Sequence, residues 1–250
     1  MKAAVKEGDA QKVAELMKQD PGFDVNMLDE YGVTLLHYAC LGDSSPAVIP
    51  LLLAHPGIDV DVKNSYGQTP FYYACNGRPS CVREMLKDFR VKVNEPDKYG
   101  YTPLFWAARN GHLDVIRWWI VSEREMDFGK PGEWKTDAVG VARLTGKKEV
   151  VTLLERFKSD VAKTRFVMRV ELGLLDGLAA EMFALMVFVS DGLLQVKNTT
   201  TPAARFFRII RSLPLELQMV LCFRLVGSGK DIIPGKESEV AFKSLARKLW

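Results

Sequence analysis

Two residues in the segment YGVTLLHYAC (Tyr31–Cys40) could do chemistry together, a histidine and a cysteine three positions apart. In a helix, His37 and Cys40 would share one face, as a cysteine nucleophile and its general base would need to. The segment recurs as YGQTPFYYAC and YGYTPLFWAA, where the histidine becomes Tyr72 and then Phe105, and the cysteine finally becomes alanine. A catalytic pair would not be replaced in this way, so the sequence predicts that Cys40 fills a slot for a small buried residue.

The chain offers no other recognisable catalytic or cofactor-binding motif. It has no phosphate-binding glycine loop, no G-x-G-x-x-G, no H-E-x-x-H and no C-x-x-C. Its three histidines are His37, His55 and His112. We therefore predict a protein that is not an enzyme and that uses no cofactor, metal ion or small-molecule substrate.

The composition is typical of a globular protein. The 250 residues are 48% hydrophobic and 26% charged with a net charge of +3, which suits one or two domains and does not favour nucleic-acid binding. The start, MKAAVKEGDAQK, lacks the apolar core of a secretory signal, and the apolar stretch MFALMVFV is shorter than the roughly 20 residues that span a bilayer. Four cysteines without C-x-x-C spacing indicate a reducing compartment. We expect an intracellular, cytoplasmic protein, with the nucleus left open.

A unit of about 33 residues repeats along the first part of the chain. Its markers are a glycine and, two positions later, a threonine: Gly32 and Thr34, Gly67 and Thr69, Gly100 and Thr102. The glycines suit tight turns and the threonines suit helix N-caps. A degraded copy runs from Met126 to Phe157, with Thr136 about one residue out of register, and a truncated copy opens the chain.

The order of a turn, a T-P-L-x-x-A helix and a longer V-V-x-x-L-L helix resembles the ankyrin repeat, most closely in YGYTPLFWAARNGHLDVIRWWI. The resemblance covers residues 1–158. It implies an all-α solenoid of about 4.5 repeats with short β-hairpin turns, the first and last repeats atypical. It also implies that His37, in the T-P-L-H position, braces neighbouring loops by hydrogen bonds. Partners would dock on a concave face lined by the hairpin tips and the first helices.

Nine residues occupy the partner-binding slots that this resemblance implies: Tyr31, Val33, Tyr66, Gln68, Lys98, Tyr99, Tyr101, Arg109 and Asn110. All are expected to be exposed or to lie directly behind the tips, together with Leu41 and Asn76. The tyrosines that precede the turn glycines should form a ladder, and tyrosine is enriched at interface hot spots. The alternative is that these tyrosines only pack the turns together. The aromatic position after the histidine slot, held by Tyr38, Tyr73 and Trp106, is assigned to packing between repeats.

The repeat is lost after residue 158, and residues 159–250 are predicted to form a helical C-terminal domain. Within it, LPLELQMVLCFRL resembles the opening of an F-box through Leu213, Pro214, Glu216, Leu217 and Leu221. The resemblance implies recruitment of a cullin-type ubiquitin ligase, as in some ankyrin-repeat proteins that end in such a motif. Ordinary helix packing is the alternative. Arg205, Arg208 and Arg211 share a helix face that is either solvated or binds an acidic or phosphorylated partner.

Three functions follow. The first is non-catalytic binding of a protein partner on the concave face, with the C-terminal helices capping the solenoid or contacting a second partner. The second is a ligase adaptor that uses the repeats for substrate and the segment Leu213–Leu225 for the ligase. The third is a structural or regulatory repeat protein with no dedicated partner, for which the turn tyrosines would be buried in packing.

Overall fold

The computed structural model describes residues 1–20, 22–42, 46–130, 136–190, 217–219, 221–222 and 241. The chain divides into two compact units, Met1–Met168 and Arg169–Trp250. Twelve helices have both ends within the described ranges, residues 217–219, 221–222 and 241 are helical as well, and no strand occurs in these ranges. None of these helices is long and apolar enough to cross a membrane.

The first unit contains five pairs of helices in its described part. They are α1 (Lys2–Glu7) and α2 (Ala10–Gln19), α3 (Leu35–Leu41) and α4 (Val48–Leu53), α5 (Pro70–Ala74) and α6 (Pro79–Leu86), α7 (Pro103–Asn110) and α8 (Leu113–Val121), and α9 (Ala138–Leu144) and α10 (Lys148–Ser159). The first helices pack on one another in chain order, and so do the second helices, α2 on α4, α4 on α6, α6 on α8 and α8 on α10. The unit therefore has a layer of first helices and a layer of second helices.

Local sequence signals explain where the first helices begin. Thr34, Thr69 and Thr102 each accept a hydrogen bond from the backbone N–H three residues later, which confirms the predicted N-caps. In the fourth copy Asp137 caps α9 by accepting from the N–H of Gly140 at 2.8 Å, so the cap lies one residue beyond Thr136. Aspartate serves as well as threonine because only a short side-chain acceptor is needed.

The turns before these helices are tight, as predicted, but they are not β-hairpins. Gly32, Gly67 and Gly100 all have positive φ, from 73° to 83°. In the first turn the N–H of Asp29 donates to the Val33 carbonyl, while the N–H of Val33 donates to the Asp29 carboxylate and not to its carbonyl. The Asp29 side chain thus accepts the hydrogen bond that the Asp29 carbonyl would accept in a β-hairpin.

The same substitution occurs in the next two turns, where Asn64 and Asp97 supply the side-chain oxygen. Consecutive turns are also joined to each other. The N–H of Ser65 donates to the Tyr31 carbonyl, and the N–H of Lys98 donates to the Tyr66 carbonyl, both at 3.0 Å. These bonds fix the spacing of the turn tips.

The core of the first unit lies between the two helix layers. Trp119 and Phe71 are fully buried and meet edge to face, with ring centroids 5.1 Å apart. The small residues that follow each aromatic slot are buried as well, which lets the first helices approach closely: Ala39 and Cys40, Ala74 and Cys75, Ala107 and Ala108.

Packing on the first unit continues beyond residue 158. Helix α11 (Val161–Glu171) follows α10 directly, and its Thr164 hydroxyl donates to the Arg156 carbonyl at 3.0 Å. Met168 is 1% exposed and belongs to the core cluster of this unit. The predicted boundary between 158 and 159 thus separates α11 from helices that it contacts.

The described part of the second unit centres on α12 (Leu175–Ser190), an apolar helix that contains the stretch MFALMVFV. Its small and apolar residues form a separate buried cluster with residues from the end of the chain: Ala179, Ala180, Phe183, Ala184, Met186, Cys222 and Ala241.

Candidate binding surface

His37 is a structural clasp and not a catalytic base. Its Nδ1 accepts a hydrogen bond from the backbone N–H of Thr34 at 3.1 Å, so Nε2 carries the proton and donates to the Gln68 carbonyl of the next turn at 3.0 Å. The ring is completely buried, and this burial lowers the pKa of His37. The predicted bracing of a neighbouring loop is therefore confirmed.

Cys40 has the properties of a packing residue. It is fully buried, and burial raises the pKa of its thiol well above the ordinary value. A thiol held neutral in this way is a poor nucleophile. Cys75, in the equivalent slot, is buried and has its pKa raised for the same reason.

The slot of His37 links first helices to turns in the later repeats as well. The Tyr72 hydroxyl donates to the Asp97 carboxylate of the following turn at 2.7 Å, and burial together with this carboxylate raises the pKa of Tyr72. Phe105 instead stacks on Tyr101, with ring centroids 4.6 Å apart. The chemistry of the contact changes, but the slot remains part of the scaffold.

The tyrosines at the turn tips are exposed. Tyr31, Tyr66 and Tyr99 are 57%, 49% and 56% exposed. Lys98 lies between two of them, with its Nζ 4.6 Å from the Tyr66 ring centroid and 5.2 Å from that of Tyr99. The tips therefore present two aromatic rings with one ammonium group between them.

Val33 and Tyr101, which were expected on the exposed surface, are buried at 8% and 6% exposure. The residue after the turn glycine precedes the helix cap, and its side chain packs inward; the Tyr101 ring lies on Phe105. Its hydroxyl has no hydrogen-bond partner among the described residues. The apolar character of Val33 at this slot is the sequence signal that could have corrected the expectation.

The remaining predicted residues divide by exposure. Lys98 is exposed, while Gln68, Arg109 and Asn110 are partly buried. The Arg109 guanidinium lies over the Trp106 ring, 4.9 Å from its centroid. Whether any of these residues contacts a partner stays a prediction.

The aromatic position after the histidine slot packs between repeats, as predicted. The His37 ring meets the Tyr73 ring edge-on at 5.2 Å, and Lys2 lies 4.3 Å from the Tyr38 ring centroid. These tyrosines also brace their own turns. The Tyr38 hydroxyl donates to Asp29, and the Tyr73 hydroxyl accepts from Asn64 at 2.9 Å.

A cleft of about 390 Å³ opens on the layer of first helices. It is lined by Leu41, Gln68, Tyr72, Tyr73, Asn76, Trp106 and Asn110. The Asn110 side chain donates to the Asn76 side-chain oxygen at 3.1 Å. The cleft thus collects residues from the C-terminal ends of three first helices, where the sequence expects Leu41, Asn76 and Asn110 to lie behind the tips.

Most of the F-box-like segment lies outside the described residues, including Leu213, Pro214 and Glu216. Leu217 is 50% exposed, and Leu221 packs partly buried against the cluster of the second unit. Arg205, Arg208 and Arg211 also lie outside the described residues. Among the residues that are described, no group of histidine, cysteine, aspartate or glutamate side chains is arranged to hold a metal ion.

Comparison with known proteins identifies the repeated unit. A family model described as ankyrin repeats (3 copies) matches residues 1–97 and 48–129, which together make up more than half of the chain. No curated protein matches the sequence.

Proposed function

The chain belongs to the ankyrin-repeat family, whose members are generally non-enzymatic interaction modules, and from this we propose that its turn tips and first helices bind a protein partner. The observation that carries the proposal is the exposure of Tyr31, Tyr66 and Tyr99, each about half accessible to solvent. A tyrosine ring that only packed the turns together would be buried. This exposure favours partner binding over a structural repeat protein without a dedicated partner.

The tips suit binding because they are already ordered. Backbone hydrogen bonds from Ser65 to Tyr31 and from Lys98 to Tyr66 hold neighbouring tips at a fixed spacing. The backbone that carries these aromatic rings is therefore already ordered on folding. A partner would not have to order it on binding, which reduces the entropic cost of association. In the proposed solenoid these tips and the first-helix layer form the concave face, and either α11 caps the last repeat or the later helices bind a second partner.

The binding site that we propose comprises Tyr31, Tyr66, Gln68, Lys98, Tyr99, Arg109 and Asn110, and it excludes the buried Val33 and Tyr101. The partner is a protein, and the setting is intracellular, in the cytoplasm or the nucleus. Cys40, Cys75, Cys81 and Cys222 are free thiols, which fits a reducing compartment.

Affinity purification from native cell extract tests the proposal, with the full chain as bait. We expect proteins captured by the wild type to be depleted about tenfold or more by Tyr66→Ala/Tyr99→Ala, since truncating a hot-spot tyrosine costs about 1–2 kcal/mol. Phe89→Ala is the matched control, because Phe89 is 88% exposed and lies in the loop after a second helix. Equal capture by the wild type and the double variant would contradict the proposal.

A ligase adaptor is the second candidate, and one observation favours it. Leu217, in the F-box-like segment, is half exposed although it is a leucine in a helical stretch, so it is accessible to a ligase subunit. A pulldown with the Skp-type ligase subunit, comparing the wild type with Pro214→Ala/Leu217→Ala, tests this role. Binding that the double variant abolishes is expected; no binding by the wild type would end the hypothesis.

A further inference from the structure

An asparagine side chain joins two neighbouring repeats just ahead of the first turn. The Nδ2 group of Asn26 donates to the Gly57 carbonyl at 2.7 Å, and its Oδ1 accepts from the Asp59 N–H at 2.9 Å. Both partners lie in the loop between α4 and α5, which leads into the next repeat. One amide makes both bonds because it carries a donor and an acceptor.

The same pair of bonds occurs two repeats later. The Nδ2 group of Asn94 donates to the Glu125 carbonyl at 3.2 Å, and its Oδ1 accepts from the Asp127 N–H at 3.0 Å. In both copies the carbonyl lies two positions before the N–H along the chain. We call such a contact between the loops of consecutive repeats a seam, and each asparagine closes its seam with two hydrogen bonds.

Aspartate takes the place of asparagine in the seam between these two. A valine precedes the slot in all three copies: Val25-Asn26, Val60-Asp61 and Val93-Asn94. The Lys92 N–H donates to Oδ1 of Asp61 at 2.9 Å, which reproduces one bond of the pair. The other bond would go to the Arg90 carbonyl, two positions before Lys92, but no hydrogen bond joins it to Asp61 in the described part of the chain. An ionised carboxylate only accepts hydrogen bonds, so it cannot donate to a carbonyl.

The charged groups around Asp61 come from both loops of its seam: Asp59, Lys63, Asp88, Arg90, Lys92 and Glu95. Glu95 pairs with Lys63 at 2.8 Å. Asp88 pairs with Arg90 at 2.6 Å. Burial has the largest effect on Asp61 and raises its pKa above the ordinary value. The hydrogen bond and the charge of Lys92 act in the opposite direction, whereas the carboxylates of Asp59 and Glu95 act in the same direction as burial.

We propose that the seam of Asp61 responds to protons: it lacks one hydrogen bond while the carboxyl group is ionised, and it gains a bond to the Arg90 carbonyl when that group takes up a proton from solvent. A protonated carboxyl group has one O–H donor and one acceptor oxygen, the same combination that the asparagine amides use. The seam lies between the repeats whose tips carry Tyr66 and Tyr99. The inference is independent of the proposed function.

The sign of the pH dependence follows from the direction of the shift. The pKa of Asp61 in the folded chain lies above the value of about 3.9 for an unfolded aspartate. The folded chain therefore holds this proton more tightly than the unfolded chain does. The stabilisation is fully present below the unfolded pKa and is lost as the pH rises through the folded pKa.

Asp61→Asn tests the inference, because it supplies the Nδ2 donor at every pH. We expect the midpoint of urea unfolding at about pH 7.5 to rise by roughly 0.3–0.8 M, as one added hydrogen bond implies. The gap to the wild type should narrow as the pH falls to about 4, because the wild-type carboxyl group becomes protonated. His37 and the other carboxyl groups are present in both proteins and cancel.

A matched control removes the same charge one repeat earlier. Asp24 is exposed, and its carboxylate accepts the Asn26 N–H at 2.9 Å within its own loop, a bond that an amide oxygen retains. Asp24→Asn should therefore change the midpoint by less than about 0.2 M. Asn94→Asp is the reciprocal variant: it should lower the midpoint at about pH 7.5 and recover part of the loss on acidification.

Hydrogen exchange separates the new bond from simple relief of charge repulsion. In a ¹H–¹⁵N spectrum of Asp61→Asn, the new side-chain amide should exchange with solvent as slowly as those of Asn26 and Asn94, because all three would donate to a carbonyl. Exchange as fast as in an exposed amide would overturn the inference. An unchanged midpoint for Asp61→Asn, or a gap that does not depend on pH, would also overturn it.

Discussion

Replacing His37 with phenylalanine should remove a clasp between two repeats without disturbing the shape of its slot. Phenylalanine already occupies the equivalent position at Phe105. In the variant, the buried N–H of Thr34 loses its acceptor and the Gln68 carbonyl loses its donor. An unsatisfied buried donor costs about 1–3 kcal/mol and a lost neutral hydrogen bond about 1 kcal/mol, partly offset by the added apolar ring.

We therefore expect His37→Phe to lower the free energy of unfolding by about 2 kcal/mol at neutral pH. With a urea dependence of about 2 kcal/mol per molar, the midpoint of unfolding should fall by roughly 1 M. Far-UV circular dichroism during a urea titration at about pH 7.5 measures this, because the first unit is helical. His37→Gln should recover part of the loss, since an amide at this helix position can accept from the N-cap N–H.

The pH dependence distinguishes the clasp from a general packing defect. Burial lowers the pKa of His37 in the folded chain, whereas the unfolded imidazole titrates near its ordinary value of about 6.5. Above that pH neither state is protonated, and the full stabilisation is present. Below it the unfolded chain binds a proton that the folded chain does not, so stability is lost as the pH falls. The His37→Phe variant has no imidazole at this position, so it does not show this loss of stability on acidification.

The gap in stability between wild type and variant should consequently narrow on acidification, by up to about 1.4 kcal/mol per pH unit until the folded pKa is reached. His112 also has its pKa lowered by burial, but it is present in both proteins and cancels in the comparison. The contribution of Asp29 to the pH dependence also cancels, since Asp29 is present in both proteins. The hydrogen bond from Tyr38 is the main cause that lowers the pKa of Asp29, so its contribution falls at more acidic pH. A gap that stays constant from about pH 7.5 to about pH 5, or no gap at neutral pH, would refute the clasp.

Three further predictions concern the scaffold. Gly67→Ala should lower the free energy of unfolding by about 2–3 kcal/mol, because φ is positive and the new Cβ would lie 2.8 Å from the Lys98 backbone nitrogen. Gly100→Ala has a similar φ but open space around the new Cβ, so the same urea titration should show a loss of only about 1 kcal/mol. Cys40 and Cys75 should resist Ellman's reagent until the chain unfolds, and rapid labelling of the native protein would contradict their burial. A fragment of residues 1–158 should be folded but less stable to urea than the full chain, because it lacks α11; equal stability would show that later residues do not cap the repeats.

The features that the sequence predicts well are local and repeated. Each threonine cap depends only on an N–H three residues away, and each turn glycine depends only on its own φ, so three copies of the pattern supply three independent checks. The small residue at Cys40 is predicted for the same reason, since its replacement by alanine in the third copy shows that size matters and chemistry does not.

The errors arise where a side chain substitutes for backbone or where direction matters. The predicted hairpins are only turns, because the side chains of Asp29, Asn64 and Asp97 accept hydrogen bonds that a backbone carbonyl would accept in a hairpin. The sequence does not reveal this, since aspartate and asparagine are also common in the turns of β-hairpins. Tyr101 follows a left-handed glycine and points inward, and a tyrosine by itself does not reveal this direction; only the apolar Val33 in the same slot indicates it.

The F-box-like segment had no such internal check. Its pattern occurs once, so no second copy can separate the conserved slots of a motif from an ordinary proline followed by an amphipathic helix.

In the proposed function, stability and binding would depend on the same hydrogen bonds. The slot of His37, Tyr72 and Phe105 ties first helices to the turns, while the turns tie their tips to one another through Tyr31 and Tyr66 carbonyls. The spacing of the exposed tyrosines is therefore set by the hydrogen bonds between the tips together with the buried contacts behind them. A partner that recognises this spacing would contact tips that are positioned by the stacking of the repeats. Lys98, exposed between Tyr66 and Tyr99, would then help to distinguish one partner from another.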